Sequence, residues 1–188
     1  RVLAGQDLTA GGTWMGVSDT GRIALLTNVR APARHRADAP SRGTIVVDWL
    51  RSRDSIETEA QDYRLRGCNP FNLLVADEGG SRWWCIGDEA SRPHALGPGI
   101  YGLSNARLDT PWPKARRLKA ALGAILDEAS DPGELSEALF AALRDRHAPA
   151  DDELPYTGVD LSIERMLAAA FVSGSHQARP YGTRTSTL

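Results

Sequence analysis

Few residues of this chain have the type and spacing to do chemistry. Two cysteines, Cys68 and Cys85, are candidate nucleophiles or metal ligands. Zinc is held by close pairs of thiolates and imidazoles, and neither cysteine has a partner at ligand spacing. Two cysteines in a chain of 188 residues also make no disulfide framework, so both read as reduced, half-buried side chains. The histidines His35, His94, His147 and His176 fall in loops or at helix ends, which leaves a Cys–His pair without support. Asp151-Asp152-Glu153 gathers carboxylates without the alternating oxygen ligands of a calcium loop and reads as a solvated turn. No glycine motif cradles a phosphate. Residues alone thus point to no metal and no cofactor.

Charge is equally reserved. With a net charge of -2, nothing electrostatic calls for a nucleic-acid partner. Two basic clusters stand out: Arg30, Arg34, His35 and Arg36, then Lys114, Arg116, Arg117 and Lys119. Each reads as solvated surface ahead of a phosphate or membrane site. No apolar run approaches the about 20 residues needed to span a bilayer, and no signal peptide opens the chain. The expectation is a cytoplasmic protein.

The elements that must position any site begin with a hairpin over Gly11–Asn28. One strand holds Thr13, Trp14, Met15 and Val17; Asp19-Thr20-Gly21 turns the chain; Ile23–Thr27 forms the return. Residues 29–41, with Pro32, Pro40 and the first basic cluster, form an exposed loop. Ser41 caps a short helix to Ser52 that buries Ile45, Val46, Trp49 and Leu50. Asp54 with Glu57 has capping-box spacing for a second helix to Arg66, which Gly67 ends. Phe71–Ala76 and Arg82–Ile86, joined by Asp77-Glu78-Gly79-Gly80, form a second hairpin. Gly97–Leu103 reads as a third strand approach. Asp109-Thr110-Pro111 opens the best helix, with Ala115, Leu118, Leu122, Ile125 and Leu126 inward and Lys114, Arg117 and Lys119 outward. Asp131 caps another, with Leu135, Leu139 and Leu143 inside. An acidic loop (148–158), a helix (161–167) and an apolar strand (169–172) complete the pass. Hairpins interleaved with paired helices, and no regular β-α-β alternation, give a layered fold of helices on a mainly antiparallel sheet rather than a Rossmann or barrel fold.

Five segments carry a resemblance. They are Gly5-Gln6-Asp7-Leu8-Thr9-Ala10-Gly11-Gly12-Thr13-Trp14-Met15-Gly16, Ala24-Leu25-Leu26-Thr27-Asn28-Val29-Arg30, Tyr101-Gly102-Leu103-Ser104-Asn105, Leu108-Asp109-Thr110-Pro111-Trp112-Pro113-Lys114, and Tyr181-Gly182-Thr183-Arg184-Thr185-Ser186-Thr187. In this order they resemble the NRDE family, which includes the transport and Golgi organisation protein 2 group, over nearly the whole chain. The Asn-Arg-Asp-Glu segment that names the family, and its initial Met-Cys pair, do not occur here. The resemblance implies both upstream of Arg1, with a further strand or two after Leu188. Residues 1–188 would then be one NRDE-like domain lacking its first strand region and last strand.

The family in turn resembles the N-terminal nucleophile hydrolases. That implies an α+β fold of αββα layering, in which a freed N-terminal Cys attacks an amide, its α-amine acts as base and hydrogen-bond donors hold the oxyanion. By similarity to the choloylglycine hydrolase and penicillin V acylase branch, Asn28 would supply a backbone N–H, Asn105 a side-chain amide, and Arg184 a positioning guanidinium. The blander readings are turn chemistry for the two asparagines and an ion pair with a carboxylate such as Asp109 for Arg184. Asp109-Thr110-Pro111 is assigned to helix capping alone. The alternative function is non-catalytic binding of haem or an acyl-CoA-like lipid. Trp14, Tyr101 and Trp112 would line that cleft, with Arg30 and Arg184 at its rim. Without the resemblance, Trp14 and Trp112 read as core aromatics. The partners implied are a small-molecule amide or such a ligand, with the oligomeric state open.

Overall fold

The computed structural model describes residues 1–87 and 92–168, which form an α+β protein in two compact units. The first comprises residues 1–99 and 104–108 and holds the sheet. Its strands are β1 (Val2–Ala4), β2 (Met15–Ser18), β3 (Ile23–Asn28), β4 (Phe71–Ala76), β5 (Trp83–Ile86) and β6 (His94–Leu96). They pair antiparallel in sequence order, with Asn28 opposite Phe71 at one end of the central pair. Helices α1 (Gly43–Arg51) and α2 (Ile56–Leu65) interrupt the meander between β3 and β4.

The strand period of two fixes which side chains meet those helices. Ala24, Leu26, Leu73, Val75 and Ile86 share one face and pack with Ile45, Val46, Trp49 and Leu50 of α1 and Ile56, Ala60 and Tyr63 of α2. The predicted inner side of α1 is thereby found in the core. Trp49 ties helix to sheet, because its indole N–H is shared between the carbonyls of Ile23 (3.1 Å) and Ala76 (3.2 Å). Its ring is covered by Arg22, whose guanidinium carbon lies 4.4 Å from the ring centroid. Arg22 is only 6% exposed and, among the described residues, has no carboxylate partner; it donates to the carbonyls of Trp49, in the last turn of α1, and Asp54, just beyond it. A cation there complements the helix C-terminus.

The other face of the sheet is also apolar but less covered. Leu3, Met15 and Val17 are exposed, at 67%, 60% and 36%, while Ile23, Leu25, Leu74, Trp83 and Leu96 on the same side are half-buried.

The glycine-rich start has a steric origin. A Cβ on Gly12 would stand 2.4 Å from the Gly43 carbonyl carbon, and one on Gly43 would stand 2.9 Å from the Thr13 nitrogen. The chain entering β2 therefore touches the first turn of α1 backbone to backbone, sealed by a Thr13 N–H to Gly43 O bond of 3.2 Å.

The second unit covers residues 100–103 and 109–168 of the described chain. It contains α3 (Pro113–Glu128), α4 (Pro132–Leu143) and α5 (Leu161–Ala168). Ion pairs tie its pieces together: Arg116 with Glu153 (3.3 Å), Arg117 with Asp145 (3.0 Å through Nε) and Arg165 with Asp151 (2.7 Å through Nε). Arg117 thus turns toward Asp145 rather than standing free as a solvated face. Leu126 and Leu143, expected inside, are exposed, as is Phe140.

Element starts and ends show smaller departures. Helix α2 is capped by Ser55, whose hydroxyl accepts from Thr58 N, one residue after the expected Asp54. Helix α3 begins after Trp112 with Pro113 in its first turn, so Asp109 is not its cap. In place of the strand approach expected at Gly97–Leu103 the structure has β6 just ahead of it, at His94–Leu96. Asp131 does cap α4, accepting from Gly133 N and Glu134 N. The strand expected at 169–172 lies outside the described residues, and among the described residues there is a single sheet.

Candidate functional site

At the end of β3 the ladder itself creates a polar site. Val29 N–H donates to Pro70 O (3.0 Å), so the N–H and carbonyl of Asn28 face the opposite side, toward β2. There Leu26 N–H meets Trp14 O (2.8 Å), but β2 starts only at Met15 and has nothing to offer Asn28. The vacated edge is taken by residues 104–106 of the same unit. Asn105 donates its side-chain amide to Asn28 O at 2.9 Å, and Asn105 O accepts from Arg30 N–H at 2.7 Å.

Two side chains of the sheet clamp this segment. Thr27 Oγ1 donates to Ser104 O (3.0 Å), and Asn72 Nδ2 donates to Ala106 O (2.7 Å). Asn72 is only 1% exposed, a single amide inside the apolar run Phe71–Ala76. A polar group that deep in a strand must have a partner, and that oddity in the sequence was the signal for it. Neither Thr27 nor Asn72 was singled out from sequence.

Asn28 itself is half-buried, and its side-chain Oδ1 is buried with no hydrogen-bond partner among the described residues. An amide oxygen so placed is an acceptor held ready, because leaving one unmade costs about 1–3 kcal/mol. Asn105 keeps a second amide hydrogen beyond the one given to Asn28 O. Among the described residues the edge therefore offers two donors, the Asn28 N–H and the spare Asn105 hydrogen, with the buried Asn28 Oδ1 as an acceptor.

The remaining expected residues are placed as follows. Trp14 adjoins the edge through its carbonyl, and its side chain is 45% exposed, so it is no core residue; Trp49 fills that role. Arg30 follows Asn28 and is half-buried. Tyr101 and Trp112 belong to the second unit, where Tyr101 is exposed and Trp112 half-buried. Arg184 lies outside the described residues.

Asp109 has a different role from the capping assigned to it. It sits at φ 59°, with its carboxylate accepting from Lys119 Nζ (2.6 Å) and Gly102 N–H (2.8 Å). Lys119 first, then the Gly102 N–H, holds that carboxyl below the usual range. It ties Asp109 to Gly102 and Lys119 within the second unit.

Neither cysteine is an activated thiol. Burial pushes Cys85 up to about 11. Burial also raises Cys68, outweighing the pull of Arg66 and Arg42. Among the described residues no three His, Cys, Asp or Glu side chains group to hold a metal ion, and no helix is long and apolar enough to cross a membrane.

Fold and site together define an α+β protein whose central antiparallel sheet carries helices on one face and an asparagine-lined polar edge at the end of β3. Residues 1–188 match the family model described as Transport and Golgi organisation 2, and the chain belongs to that family. It is 34% identical over 204 residues to the Transport and Golgi organization protein 2 homolog of Bos taurus, covering all of this chain and 71% of the relative. The Mus musculus Transport and Golgi organization 2 homolog is 32% identical over 207 residues, and the Homo sapiens Transport and Golgi organization protein 2 homolog 30% over 202, with the same coverage.

Proposed function

We propose that this family domain, taken as one functional unit over residues 1–188, carries the oxyanion-stabilising half of an N-terminal-nucleophile amide hydrolase. The observation that carries the reading is the Asn105 amide lying against Asn28 at the open edge of β3. Two neutral N–H donors on one edge are what a tetrahedral oxyanion requires, and losing one such donor typically costs catalysis about 100- to 1000-fold. The attacking thiol in this reading is a cysteine outside these residues, which accords with both Cys68 and Cys85 being held protonated. Arg184 is assigned to steer the scissile group. The sheet's second apolar face supports the layered arrangement, since it has the surface that another sheet would cover.

The test uses the full-length protein with a β-lactam or electrophilic amide probe, located by mass spectrometry. Labelling of an N-terminal cysteine, slowed by Asn105→Ala and abolished by Cys→Ala, is expected. No adduct at the amino terminus, or equal turnover after Cys→Ala, would reject the reading.

A second reading rests on the exposed Leu3, Met15 and Val17 of one sheet face: a non-catalytic site for a flat or long apolar ligand such as haem or an acyl chain. Haem titration followed at the Soret band tests it. A spectrum unchanged from free haem removes that version.

A further inference from the structure

A second polar feature lies at the 66–70 turn that leads into β4. Three arginines border it, Arg66 with its guanidinium turned to Asp48 and the Tyr63 ring. Arg36 Nη1 comes within 4.0 Å of the Cβ position at Gly67. Arg42 Nη1 donates to Pro70 O at 3.1 Å, and the charges of Arg42 and Arg66 are both felt by the Cys68 thiol. The loop that presents Arg36 is fixed: Asn69, itself buried, accepts from Arg36 N–H and donates to Arg36 O, each at 2.8 Å. The same loop is anchored at its start by Val29 N–H on Pro70 O.

The three cations are not equivalent. Arg36 has Asp38 (3.4 Å) and Arg66 has Asp48 as a carboxylate partner. Arg42 is half-buried and rests on a neutral carbonyl; burial lowers the affinity of its guanidinium for the proton. A charge partly withdrawn from water, with a carbonyl as its partner among the described residues, gains most from an anion. Expectation from sequence had the loop cluster as solvated surface. Arg34, His35 and Arg36 of that cluster are indeed exposed; the half-desolvated cation is Arg42, which lies outside it, at the start of α1.

We propose that Arg42, with Arg36 and Arg66, forms an anion-binding site at the 66–70 turn that takes a phosphate or carboxylate group of a ligand. Guanidinium planes suit both oxyanions through paired N–H···O contacts, and the fixed Asn69 clamp keeps the turn in shape without the ligand. The site is independent of the hydrolase reading, because it is tested by binding and needs no turnover.

The experiment titrates the protein with inorganic phosphate and, separately, with succinate, at ionic strength held constant with chloride. The Gly67 and Asn69 amide resonances report binding. Saturable shifts are expected, weakened about tenfold or more in Arg42→Gln, as for loss of a charge-assisted contact, and unchanged in Arg53→Gln. Tighter saturation by phosphate assigns a phosphoryl ligand; tighter saturation by succinate assigns a carboxylate. Shifts that never saturate, or that persist undiminished in a folded Arg42→Gln variant, overturn the site. Should Arg42→Gln not fold, Cys68 gives a second readout in the unaltered protein. Anionic iodoacetate should alkylate Cys68 faster, relative to neutral iodoacetamide, than it does an unfolded cysteine peptide, and phosphate should suppress that preference. An equal ratio in protein and peptide, insensitive to phosphate, overturns the proposal.

Discussion

Single side chains carry most of the site's order. Asn72 is the clearest case, since its amide is the link between the core of β4 and the segment bearing Asn105. Asn72→Ala leaves Ala106 O without its donor, and urea unfolding should register a loss of about 1–3 kcal/mol. The Asn105 side-chain resonances should broaden in the same variant. Cys85 yields a pH prediction. Its folded pKa is raised to about 11 from 9.0, so the folded state keeps a proton that the unfolded state releases. Stability from this group is therefore full below pH 9 and declines as pH rises toward 11. Cys85→Ala should flatten that alkaline slope in urea melts. None of this was legible from composition. Asn28 and Asn105 lie 77 positions apart, and no periodicity links them; only the family resemblance paired them. Asp109 was misjudged because a positive-φ turn and a helix cap ask for the same residue type.

At the scale of elements, regular spacing was readable and chain ends were not. The stripe Ile45, Val46, Trp49 and Leu50 gave α1, and the uniform apolar run gave β4 with its limits at Phe71 and Ala76. Helix starts slipped where two capping residues stand side by side, as at Asp54 and Ser55, or where proline at the first position replaces a cap, as at Pro113. Strands β1 and β6, three residues each, are too short to show alternation. The contact between Gly12 and Gly43 tests the packing of α1 on the β2 approach. Gly12→Ala must displace backbone, not a flexible side chain, so it should cost about 3 kcal/mol or more, at or above the top of the usual range for overpacking. Gly5→Ala meets nothing within 4 Å and should stay within about 0.5 kcal/mol of the parent. Thermal melts of the two variants make the comparison. Asp131→Ala removes the acceptor for Gly133 and Glu134, and helix α4 should lose about 1 kcal/mol.

Across the whole molecule the two units differ in how much they bury. Ala24, Leu73 and Val75 of the sheet are completely inaccessible, whereas α4 has no buried residue and α3 only Pro113. Hydrogen exchange should follow that contrast, with amides of β3 and β4 slowest and those of α4 exchanging through local opening. Equal protection in α4 and β4 would contradict it. The strand order has a kinetic consequence as well. Among the described residues every strand pairs with its neighbour in sequence, so most of these pairings are local and form by closing short loops. The exception is the β3–β4 pair, whose partners are separated by residues 29–70. Closing that span brings α1 and α2 onto the sheet and assembles the core in the same event. Refolding should therefore be limited by this one closure. Variants that weaken Trp49 should slow folding, while changes in β5 or β6 should mainly hasten unfolding.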